Sequence, residues 1–145
     1  MTETSSDRSF PATDSRVERH FLGLAPLPFL PRAVERVPVV QVPNYVELGR
    51  LTALRFLEWL QDNPEGVAAL PTGKTPEYFI RWVRHYLDHW DDEASGGLLG
   101  TLGLADRPKP SCRRAHFVQL DEFFPMDPAH ERSFRHYVEK YYLEG

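Results

Sequence analysis

Cysteine is almost absent from this chain: Cys112 is the one such residue among 145. A single thiol excludes an intramolecular disulfide and favours a reducing compartment. Arg113 and Arg114 follow it and are expected to lower its pKa, yet nothing beside it completes a nucleophilic thiol site. Long hydrophobic runs are lacking too. No stretch approaches the ~20 apolar residues of a membrane span. The most apolar segment, Phe21 to Leu30, contains Pro26 and Pro28 and follows Glu3, Asp7, Asp14 and Glu18. A secretion signal would place a basic stretch there instead. Clustered positive charge is also missing. Lys and Arg number 17 against 21 Asp and Glu, for a formal net charge of −4, which argues against nucleic acid as a partner. The one local excess, Arg107 to Arg114, lies among Pro108 and Pro110 and reads as solvated loop. No repeat is visible. What remains is a cytoplasmic globular protein with no membrane and no nucleic-acid partner. Its length suits one domain, and a homo-oligomer is compatible with it.

Residues 1–16 are Ser/Thr/Asp-rich with few large apolar groups, and are expected to be a disordered tail. Residues 17–36 form a Pro-rich, partly apolar arm. The main domain is expected over 37–145. Val37 to Val42 is short and β-branched and reads as a first strand, with Pro38 at its start or on an edge. Asn44 offers a helix cap with Glu47 as a capping-box partner. Leu48, Leu51, Leu54, Leu57 and Leu60 then recur at helical spacing, so the pattern predicts a helix over about 45–62. Val67 to Leu70 is the second strand. Tyr78, Phe79, Trp82, Val83, Tyr86 and Leu87 predict a helix over about 76–91, with Pro76 tolerated in its first turn. The glycine-rich stretch Asp91 to Cys112 reads as a long loop with a helical turn near Leu98–Leu104. Ala115 to Leu120 is the third strand, and Glu131 to Tyr142 a third helix with Phe134, Val138 and Tyr141 on its apolar stripe. The order β-α-β-α-β-α predicts an α/β fold: a Rossmann-like parallel sheet. Three parallel strands make half of a doubly wound domain, so the chain reads as the N-terminal part of a larger one.

Two strand ends carry the chemistry. The first runs into Thr72-Gly73-Lys74-Thr75-Pro76. Its Gly-Lys-Thr invites a P-loop reading, but that motif needs a glycine at position 68, which is Ala68. The general property survives. A glycine lets backbone approach an anion, the next helix offers free amides, and Thr72, Thr75 and Lys74 add donors and charge. The alternative is an ordinary strand-to-helix turn capped by Thr75. The second strand ends in Asp121-Glu122, where an apolar lead-in can tune a general base, or where the carboxylates simply cap the next element. An anion cradle and a base at two strand C-terminal ends suit a sugar-phosphate site on an open sheet.

These residues resemble a family. Leu70-Pro71-Thr72-Gly73-Lys74-Thr75-Pro76 is similar to the phosphate loop of glucosamine-6-phosphate deaminases and their isomerase-like relatives. Phe117 to Phe123 resembles that family's strand carrying Asp-Glu-aromatic, and Pro128 to Phe134 its Asp/Glu-His-x-x-Ser-Tyr segment. The resemblance spans about residues 37–145. It implies a Rossmann-like fold and a deamination with isomerisation that uses no metal and no cofactor. Glucosamine 6-phosphate would become fructose 6-phosphate and ammonia. Thr72, Gly73, Lys74 and Thr75 would hold the phosphate, Asp121 would be the general base between sugar C1 and C2, and Glu122 would support the loop. Lys74 departs from the small residue usual there. No segment after Phe123 matches the family's ring-opening histidine, and His130 and His136 read as surface or packing residues. The chain is thus expected to be a fragment or a degenerate member. Alternatives are a 6-phosphogluconolactonase-like hydrolase, disfavoured by Phe123 where that relative tends to carry Arg, and a non-catalytic sugar-phosphate-binding module.

Overall fold

The computed structural model describes residues 13–24, 39–73 and 75–144. Along them run α1 (Arg16–Leu24), α2 (Tyr45–Asp62), β1 (Val67–Leu70), α3 (Glu77–Asp88), α4 (Glu93–Thr101), β2 (His116–Gln119) and α5 (Phe134–Val138). A short 3-10 turn at Cys112–Arg114 leads into β2, and a π-helical turn at Glu139–Leu143 extends α5.

Helix α2 organises the rest. The Asn44 side chain accepts from the Glu47 amide at 2.9 Å, as the capping pattern predicts. The reciprocal half of a capping box is replaced, because the Glu47 carboxylate pairs with Arg50 at 3.2 Å. Leu51, Leu54, Leu57 and Leu60 are all buried, whereas Leu48 at the head of the series is exposed, so the leucine spacing marks the face that enters the core from Leu51 onward. At the far end Asn63 turns its backbone and side-chain amides onto the Trp59 carbonyl. Helix α3 lies across α2 at Gly49, where a Cβ would come within 2.5 Å of the Tyr78 Cβ. The Trp82 indole donates to the Val46 carbonyl at 3.1 Å and fixes the same crossing.

The core is helical. Val17 and Phe21 of α1 join Leu54 and Leu57 of α2, Tyr86 of α3, Trp90, Leu99 of α4, Leu102 and Leu104. The arm therefore contributes to the main packing unit. So does part of the stretch expected to be tail: residues 1–12 lie outside the described residues, but Ser15 is buried and donates to Glu58 at 2.5 Å. Glu58 also accepts from the Arg16 amide at 2.7 Å, which satisfies a carboxylate that is itself buried. The expected loop over 91–112 instead contains α4. Its glycines oppose helix, and the burial of Leu99 outweighs them.

Among the described residues the sheet has two strands. β1 and β2 run parallel, pairing Val67 with His116 through Leu70 with Gln119. The third strand expected over Val37–Val42 does not form within the described residues: 37 and 38 lie outside them, and 39–42 join no ladder. Val40 and Val42 pack on the helical core instead, which accounts for their apolar character without strand pairing. The chain thus combines helices with a two-stranded parallel sheet. The last helix also begins later than expected, at Phe134 in place of about 131, because turns precede the Ser133 cap. No helix among the described residues is long and apolar enough to cross a membrane.

Candidate functional site

Parallel pairing in register puts the ends of β1 and β2 side by side, because Leu70 faces Gln119. The polar segments that follow, Pro71 to Thr75 and Leu120 to Glu122, therefore leave the same end of the sheet.

Gly73 has φ = 97°, a backbone region that penalises any residue with a Cβ. Nothing lies within 4 Å of where a Cβ would stand, so the requirement is conformational and the space beside the turn is open. The carbonyls on this turn are held from behind. Tyr142 donates its hydroxyl to the Pro71 carbonyl at 2.8 Å, and Tyr137 donates to the Gly73 carbonyl. Desolvation raises the pKa of both phenols, so they remain donors at neutral pH. These two tyrosines escaped the sequence reading. Their partners lie 64 and 71 residues away, and the apolar stripe read for the last helix, Phe134, Val138 and Tyr141, includes neither.

Pro76 is the cap of α3, and no side chain caps that helix. Its first-turn amides are thus left to solvent or a ligand, at the positive end of the helix dipole. The ordinary alternative, a turn capped by Thr75, is not what forms. Thr72 is half-buried and Thr75 exposed, and Lys74 lies outside the described residues. Thr75 also borders an apolar groove of about 630 Å³ between α2 and β1, walled by Tyr45, Phe56, Trp59 and Phe79.

The two carboxylates divide. Glu122 accepts from the Ser133 hydroxyl at 2.7 Å and from the amides of Phe123, Phe134 and Arg135 at 3.0–3.1 Å. Desolvation pushes its carboxyl up, but these donors outweigh that and bring it down to about 2. Glu122 therefore anchors the start of α5. Asp121 is exposed, and its carbonyl accepts from the Gln119 side chain at 2.7 Å. Among the described residues, no hydrogen bond or ion pair engages its carboxylate.

The other titratable candidates have local roles. His130 accepts from the Arg132 amide through Nδ1 at 3.1 Å. At Cys112, burial pushes the thiol up, opposite to the lowering expected from its arginines; one of them, Arg114, is drawn off to Glu65 at 2.8 Å. Among the described residues, no three His, Cys, Asp or Glu side chains gather as a metal site. Compared with known proteins, the chain matches no family model, no curated protein and no solved structure.

Proposed function

We propose that the chain is a sugar-phosphate protein of the glucosamine-6-phosphate deaminase kind, acting in the cytoplasm on an amino-sugar phosphate. In this reading β1 and β2 are neighbouring strands of a Rossmann-like, doubly wound sheet. Thr72, Gly73, Lys74 and Thr75 grip the phosphate. Asp121 moves a proton between C1 and C2 of the open-chain sugar, and water replaces the amine to give fructose 6-phosphate and ammonia. Glu122 holds the loop through α5 and takes no part in proton transfer. One observation carries the reading: the open Gly73 turn and the unengaged Asp121 carboxylate leave adjacent parallel strands at the same end, where open α/β sheets bind their ligands.

The test is calorimetric titration with glucosamine 6-phosphate and with glucosamine. The phosphate ester should bind at least ~tenfold more tightly, a difference of about 1.4 kcal/mol, and equal affinity overturns the proposal. A second reading, a binding module without chemistry, is favoured by the solvent exposure of Asp121, since a strong general base is usually set in a shielded pocket. Ammonia release separates the two. Turnover that drops by about 10²–10⁴-fold in Asp121→Asn marks the enzyme, and phosphate-dependent binding without turnover marks the module.

A further inference from the structure

We propose that the cleft between α3 and the C-terminal turn is a second anion site, one that takes a small phosphorylated ligand. The cleft holds about 500 Å³, and Arg81 and Arg84 of α3 meet Lys140 of the π-helical turn across it. Tyr137 and Tyr141 form its aromatic wall, and the buried Ile80 lies at its base.

The charge balance within the cleft is one-sided. Among the described residues Glu77 is the only carboxylate lining it, and it is engaged by Arg81 at 2.6 Å. Glu139, on the same turn as Lys140, is drawn to Arg135 at 2.9 Å. Among the described residues neither Arg84 nor Lys140 joins an ion pair. Two uncompensated cations therefore face one cavity in a chain of formal net charge −4. Like charges held together repel, and a phosphate placed between them removes that repulsion while gaining charge-assisted hydrogen bonds. The Lys140 ammonium lies 5.3 Å from the Tyr141 ring centroid, so the aromatic wall already supports a cation at this spot. The volume exceeds what a bare phosphate fills, and leaves room for a ring beside the tyrosines.

The site is distinct from the Thr72–Thr75 turn and does not rest on the deaminase reading. The two are linked through Tyr137. Tyr137 lines the cleft and donates its hydroxyl to the Gly73 carbonyl, so a ligand that orders Tyr137 also steadies the turn.

Inorganic pyrophosphate is a suitable probe, since its two phosphoryl groups offer several acceptor oxygens to the cations of the cleft. Titrated into the protein at moderate salt, it should shift the backbone NMR resonances of Arg84, Lys140 and Tyr141 in a saturable way. The Arg84→Ala and Lys140→Ala variants should each weaken binding by about tenfold, whereas Lys109→Ala, an exposed cation outside the cleft, should leave it within about twofold. Shifts confined to Thr72, Gly73 and Thr75, with Arg84, Lys140 and Tyr141 unmoved, would overturn the proposal, as would the absence of saturable binding. The shift map uses the unaltered protein, so it decides the matter even if a variant misfolds.

Discussion

At Glu122 both carboxylate oxygens accept hydrogen bonds from the start of α5, while the adjacent Asp121 carboxylate projects from an exposed residue. Adjacent acids in one motif thus divide into a structural anchor and a candidate reactive group. The resemblance implied a supporting role for Glu122; its four donors were not legible, because Ser133 lies 11 residues downstream and only folding brings it near. The consequence for pH has a definite sign. An unfolded glutamate titrates near 4.5, and Glu122 in the fold near 2. Its contribution to holding α5 is therefore complete above about 4.5 and is lost as the pH falls from there through about 2. The Phe134 and Arg135 amide shifts should titrate with a midpoint near 2, and in Glu122→Gln that transition should vanish. A midpoint near 4.5 would mean that these bonds do not hold the carboxylate in solution.

Among the elements, α2 was the most legible. Its leucine spacing marks the buried face, and Asn44 marks its start. Replacing Asn44 by Ala should cost about 1 kcal/mol, read as a lowered denaturation midpoint at constant slope. An unchanged midpoint would show that the cap is dispensable. Helix α4 was hidden for the opposite reason. Gly96, Gly97 and Gly100 disfavour helix at a typical ~1 kcal/mol each, so local preference pointed to loop. The helix persists because Leu99 is buried in the shared core cluster and Leu98 packs against it, contacts that are tertiary and leave no local trace. The Val37–Val42 segment shows the converse. A β-branched run was read as strand, yet its described part packs on helices; β propensity reports fitness for a half-buried surface more than a pairing partner. At the site, the glycine turn and the two acids were legible as short motifs on strand ends. The tyrosine tethers and the basic cleft were not, because each joins residues far apart in sequence.

On the scale of the whole molecule, the helices carry the core while the sheet stays largely exposed. Val67 and Val118 are 62% and 50% exposed, whereas Leu54, Leu57 and Leu99 are fully buried. Mutations should follow that division. Leu99→Ala removes side-chain volume from the core and should cost about 2–5 kcal/mol. Val67→Ala on the sheet should stay within about 0.5 kcal/mol. Chemical denaturation of the two variants compares them directly, and equal losses would show that the sheet is as integral to the folded unit as the helices.

The pairing of β1 with β2 has a consequence for motion. Eight strand residues with little buried surface can separate while the leucines of α2 stay packed, so amide hydrogens in the ladder should exchange through a partial opening of lower free energy than global unfolding. Gly73 and Asp121 ride on that less protected unit. A ligand that bridges them binds only when the ladder is closed, and so slows its exchange by the factor 1 + [L]/Kd. Amides in α2 that exchange through fluctuations independent of the ladder keep their own rate, which makes the ladder a built-in reporter of whatever occupies its end.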